Sequence, residues 1–148
     1  MKILLAYNHR SELSDKLLEF TKRYAEAFNA SVDVLTSGER TSSEKQLPYV
    51  EEAEQALARV EEFFTQAGIT CCSHLILRGM SPGEDIVSFA RENGTDMIMV
   101  GVDQQSRVGK FFMGSLTQHV VLKAPCPVLT ISPGELEADV LLGTTSMY

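Results

Sequence analysis

The amino-acid sequence predicts an α/β protein: a three-layer open sandwich whose five-stranded parallel sheet has the order 3-2-1-4-5, with helices on both faces. Three observations carry this. Five apolar runs of strand length alternate with longer stretches of helical periodicity. Met97-Ile98-Met99-Val100 is continuously apolar, as suits a strand covered on both faces. Right-handed crossovers leave 3-2-1-4-5 as the simplest doubly wound solution.

Taken in order, Lys2 to Tyr7 is the first strand and Asn8-His9-Arg10-Ser11 a polar, solvated turn. A helix is expected from about Glu12 to Phe28, with Leu13, Leu17, Phe20, Tyr24 and Phe28 on one face and Asn29 as terminator. Ser31 to Thr36 is the second strand, rich in β-branched residues. Ser37 to Pro48 reads as a polar insertion, a tolerated surface loop or a lid. Val50, Ala53, Leu57, Val60, Phe64 and Ala67 then form the stripe of a long helix closed by Gly68.

Thr70 to Leu77 is the third strand. Cys72, His74 and Ile76 share one face, and Cys71, Ser73, Leu75 and Leu77 the other. Ser81, Pro82 and Glu84 make a capping box for a helix that turns Ile86, Val87 and Ala90 inward and closes at Asn93-Gly94. The fourth strand is about Asp96 to Val100, with Gly101 expected to turn the chain sharply. A short helix from Ser115 to Leu122 should bury Leu116, Val120 and Val121, with Ser115 as its N-cap. Pro125 stops it, and Pro127 to Ile131 is the fifth strand, at the sheet edge.

With 148 residues the chain is one domain by length, here taken as residues 1–133 with a tail over 134–148. A net charge of −7 argues against a nucleic-acid partner or an anionic membrane. No apolar run approaches a membrane span and the N-terminus does not read as a signal peptide, so a cytoplasmic protein is expected. Cys71, Cys72 and Cys126 make no secretory disulfide framework and read as small hydrophobes. His9, His74 and His119 lack metal-ligand spacing, and no metal site is assigned. Glu51, Glu52, Glu54, Glu61 and Glu62 read as a solvated helix face. No nucleophile–base pair presents itself, and the chain is read as a non-enzyme.

In a 3-2-1-4-5 sheet the ligand crevice lies between strands 1 and 4 at their C-terminal ends, where Asn8-His9 and Gly101 face each other. A polar loop leads from Gly101 through Gln104, Arg107 and Lys110 to Gly114-Ser115. A helix starting after such a loop presents free N–H groups and a positive dipole end, which suits an anion.

These residues resemble the universal stress protein family, whose nucleotide signature is Gly, two residues, Gly, nine residues, Gly, then Ser or Thr. Gly101, Gly114 and Ser115 match in spacing, while Gln104 stands at the second glycine. Ala124-Pro125-Cys126-Pro127-Val128-Leu129, Ser81 to Ile86 and Asn93 to Ile98 also resemble the family, so the likeness spans Met1 to about Ser132. It implies an adenine nucleotide alpha hydrolase-like fold and a stress-response role. It also implies ATP or AMP, with Mg2+ left open, bound by Ala6, Tyr7, Asn8, Leu35, Val100, Gly101, Gln104, Arg107, Gly114, Ser115, Leu116 and Thr117. Asn8 replaces an aspartate that ATP-binding members carry, and His9-Arg10 replaces small residues; beside the solvated turn, the alternatives for this pair are to close the crevice or to pair with phosphate. These departures keep an alternative in view: a homodimeric interaction module without nucleotide. The family implies pairing of two subunits through the edge strand Val128 to Ile131.

Overall fold

The computed structural model describes residues 1–38, 42–77, 80–102 and 113–134. Within them lie β1 (Lys2–Ala6), α1 (Ser14–Phe28), β2 (Ser31–Ser37), α2 (Ser43–Gln66), β3 (Cys71–Ile76), α3 (Pro82–Glu92), β4 (Met97–Gly101), α4 (Ser115–Lys123) and β5 (Val128–Ile131). The strands form one sheet of order β3-β2-β1-β4-β5, every adjacent pair parallel. The fold class predicted from the sequence is the one observed. Gln104, Arg107 and Lys110 lie outside the described residues, as does the tail from Glu135 onward.

Strand alternation divides the core in two. Ile3, Leu5, Val32, Val34 and Met99 face α1 and α2, where Leu17, Leu57, Val60 and Phe64 meet them. Leu4, Leu35 and Ile98 face the other way, onto Ile86, Phe89 and Ala90 of α3 and Val120 of α4. β3 follows the same rule. Cys71 and Leu75 pack on the α1–α2 side, while Ile76 joins the other core and the His74 ring lies against Phe89, centroids 4.8 Å apart.

Several expectations need correction. The segment 37–48 is not a long loop: α2 starts at Ser43 and carries Pro48 inside it. Proline removes one helical N–H and disfavours a preceding turn. Here it is exposed in the second turn, so water can reach the carbonyl it leaves unpaired. In α1, Leu17, Thr21 and Ala25 are buried, with Leu13 at the N-cap; Phe20 and Tyr24 pack partly buried against the same core as expected, but Phe28 is 51% exposed. In α4, Thr117 and Val120 are buried, whereas Val121 is 44% exposed. Adjacent residues on a helix point about 100° apart, so with Val120 turned into the core beside Leu4 and Ile98 its neighbour faces outward.

The acidic stripe of α2 is only partly solvated: Glu61 accepts from Ser73 N and Oγ, each at 2.8 Å, and Glu52 reaches across to the β1–α1 turn. Nor does Gly101 serve a special backbone angle. Positive φ occurs among the described glycines at Gly68, Gly94 and Gly134. Gly101 is small because α1 crosses it closely: an added Cβ would stand 3.1 Å from Leu17 Cδ1 and 3.3 Å from Leu13 Cδ1.

Candidate functional site

At the C-terminal end of the sheet the chain leaves β1 toward α1 on one face, and β4 precedes the 103–112 segment that leads to α4 on the other. This divergence opens a crevice at the point where strand order reverses. The crevice is a cavity of about 650 Å³. The ends of β1, β2 and β4 form its floor, and the starts of α3 and α4 form one wall.

Ten of the twelve residues singled out from the sequence line this cavity: Ala6, Tyr7, Asn8, Leu35, Val100, Gly101, Gly114, Ser115, Leu116 and Thr117. Gln104 and Arg107 lie outside the described residues.

The two turns are held by their own backbone. After β1, the Asn8 carbonyl accepts from Ser11 N at 3.0 Å, and Asn8 Oδ1 accepts from Arg10 N at 3.0 Å. This is the local bridge that short polar side chains make in turns. Thr36 Oγ1 donates to the Tyr7 carbonyl at 2.9 Å, which ties the end of β2 to the end of β1. Burial pushes the Tyr7 phenol up, with Asp15 adding to the effect.

Across the cavity, Thr117 Oγ1 donates to the Gly101 carbonyl at 3.2 Å. That bond anchors the first turn of α4 to the end of β4. Gly114, not Ser115, is the N-cap residue, and no side chain caps this helix. Ser115 is the first helical residue and is exposed at the cavity wall. The expected capping role therefore gives way to a free hydroxyl beside helix-start N–H groups. An added Cβ on Gly114, whose φ is −61°, would meet nothing within 4 Å. The backbone there borders open space.

Of the remaining lining, sequence reasoning reaches only Arg10, as a side chain that closes the crevice or pairs with phosphate. Arg10, Ser11, Thr36, Ser37 and Tyr49 also line the cavity, with Pro82 and Ile86 from α3. Tyr49 comes from the second turn of α2, directly after the Ser37 to Pro48 stretch that the sequence predicts as a loop. It lies so close on Gly38 that a Cβ there would stand 2.7 Å from its Cε1. Arg10 Nε and Nη2 donate to the two Glu52 oxygens at 3.1 and 3.0 Å, and its guanidinium lies 5.3 Å from the Tyr49 ring centroid. His9 Nε2 is 2.8 Å from Glu52 Oε1, with the side chain 7% exposed. The expected solvated turn is thus a clamp onto α2. No spacing signal could have revealed it, since the partners are more than forty positions apart. At the cavity's β2 end, Ser37 Oγ donates to Asp85 Oδ2 at 2.5 Å. Asp85 is itself 2% exposed.

Fold and cavity together define a doubly wound α/β domain with a ligand-sized crevice at its switch point. The chain belongs to the universal stress protein family, whose family model matches residues 1–132. It is 34% identical over 134 residues to a universal stress protein of Thermus aquaticus, covering 87% of this chain and 96% of that one. A match to a putative universal stress protein of Staphylococcus haemolyticus, 31% identical over 87 residues, covers 59% of this chain and 53% of that one. Among solved structures, the universal stress protein from Archaeoglobus fulgidus superposes with a TM-score of 0.78 at 30% identity, over 88% of this chain and 98% of that one. The structure of the Archaeoglobus protein in complex with dAMP matches at 0.71, also with 30% identity, over 88% of this chain and 97% of that one.

Proposed function

We propose that this chain is a stress-response regulatory domain that binds an adenine nucleotide, ATP or AMP, in the cavity between β1 and β4. The observation that carries the reading is the pairing of an apolar floor with an uncapped helix start in one cavity. Leu35, Ile86 and Val100 offer a surface for a base, and Gly114-Ser115 offers N–H groups and a hydroxyl for phosphate. The dAMP complex of the Archaeoglobus relative supports the same ligand class.

The role proposed is binding; the described lining residues are apolar, hydroxyl, amide and glycine, with Arg10 as the charged side chain. The same lining bears on Mg2+. Hard cations take carboxylate and other oxygen ligands. Here no described carboxylate is on the wall, and Asn8 Oδ1 already accepts from Arg10. These residues do not fit a resident divalent ion, so none is placed here.

The alternative of a nucleotide-free interaction module rests on assembly. The carbonyls of Pro127, just before β5, and of Ile131 at its end accept from Ile98 and Val102. Strand alternation then turns the N–H groups of Val128 and Thr130 outward, away from β4. We place a homodimer contact at this edge, compatible with either reading, in a protein that works in the cytoplasm. No helix of the described residues is long and apolar enough to cross a membrane.

The deciding measurement is calorimetric titration with AMP and ATP, beside Gly114→Val. The backbone at Gly114 accepts a side chain without strain, so the variant should fold and lose binding. Equal binding by both proteins, or none by the wild type, overturns the assignment of the site.

A further inference from the structure

The charge inventory of the cavity is short. Among the described lining residues Arg10 is the single formally charged side chain; the rest are apolar, hydroxyl, amide or glycine. Its guanidinium is held from one side. Nε and one Nη2 hydrogen go to Glu52, and the Tyr49 ring lies alongside. Tyr49 is in turn seated on Gly38. A guanidinium has five N–H donors, so this clamp fixes its plane and leaves the Nη1 edge for something else. Glu52 and Arg10 are both about half exposed, so the pair adds little to stability and its geometry is its main consequence.

Resting on the nucleotide reading above, we propose that Arg10 is a specificity-determining contact of this cavity. Its free edge pairs with the anionic phosphate of the ligand, doing the charge neutralisation that a divalent cation would otherwise do. Glu52 positions the guanidinium and also tempers its charge. The α4 start supplies backbone N–H groups at Gly114-Ser115, and Arg10 supplies the side-chain cation that the other described walls lack. Planar bidentate recognition of phosphate is the task for which arginine differs most from lysine.

The test is titration of the full chain with adenosine, AMP and ATP in EDTA, so that charge neutralisation must come from the protein. The wild type should bind ATP more tightly than adenosine. Arg10→Met should lower ATP affinity about tenfold while leaving adenosine unchanged. Arg10→Lys should recover only part of the loss. Glu52→Gln keeps an oxygen acceptor for Arg10 but removes the negative charge. It should therefore raise ATP affinity about threefold and leave adenosine alone. Adenosine binding reports on the fold in each variant. An unchanged ATP-to-adenosine ratio in Arg10→Met, or a fall in ATP affinity in Glu52→Gln, overturns the role given to Arg10 while leaving the cavity as the binding site. Failure of the wild type to bind any of the three ligands overturns the site itself, and this inference with it.

Discussion

Thr117 Oγ1 donates to the carbonyl of Gly101, so the first turn of α4 is tied to the last residue of β4. The bond and the packing of Val120 against Leu4, Leu35 and Ile98 together place the helix start beside the strand end. Thr117→Val keeps the shape of the 4% exposed side chain but removes the donor. It should cost about 1 kcal/mol and weaken nucleotide binding by shifting the helix start. Denaturant unfolding and titration of the same preparation check both.

The two glycines that flank this segment should respond in opposite ways. Gly101→Ala pushes a methyl group against Leu13 and Leu17, both buried, and should destabilise the fold by about 1–2 kcal/mol. Gly114→Val meets open space and should leave stability within about 0.5 kcal/mol of the wild type. Urea midpoints of the two variants give the comparison. A Gly114→Val variant as unstable as Gly101→Ala would contradict the packing described here.

The Glu52 clamp makes an acid-range prediction. Hydrogen bonds from Arg10, then from His9, pull the Glu52 carboxyl from its ordinary 4.5 down to about 2. Because the folded value lies below the unfolded one, its contribution is fully present above about pH 4.5 and is lost as pH falls toward about 2. Melting temperatures of wild type and Glu52→Gln should therefore converge on acidification through that window. A gap that is constant from pH 6 to pH 2 would show that the pair does not couple to folding.

The three thiols should separate by reactivity. Burial pushes Cys71 up to about 12, with the Glu61 carboxylate adding to it, and burial also raises Cys126, helped by Asp96. Cys72 is exposed. At pH 8 a thiol reagent should label one cysteine quickly in the native protein, and Cys72→Ser should abolish that fast phase. Fast labelling of Cys71 in the native state would contradict its placement against α2.

Dimerisation through β5 predicts a defect in Thr130→Pro. The residue's N–H points away from β4, so the ladder within the subunit survives while the outward donor is lost. Light scattering should show a wild-type dimer and a variant monomer. A concentration-independent wild-type monomer removes this contact.

Much of this molecule was legible in its sequence because the determining forces are local and periodic. Strand-length apolar runs, the Ser81-Pro82-Glu84 cap and the spacing of Leu57, Val60 and Phe64 depend on neighbours within a few residues. Together with the handedness of crossovers they determined a five-stranded parallel sheet, its order, and the meeting of Asn8 with Gly114-Ser115 at one crevice. Breaker signals misled where their context was tertiary. Pro48 and its polar neighbours read as a loop, yet solvent exposure lets the proline sit within α2.

Only the tertiary structure decided what the crevice wall is made of. Gly101 looked like a turn residue and is a seat for Leu13 and Leu17; Ser115 looked like a cap and stands free beside one. Arg10, Tyr49 and Glu52 came together because α2 packs beside α1 on one sheet face and starts about two turns before its apolar stripe. Periodicity records which side of an element faces the core. It carries no record of which side chains meet across forty residues, because that depends on where two rigid elements come to rest.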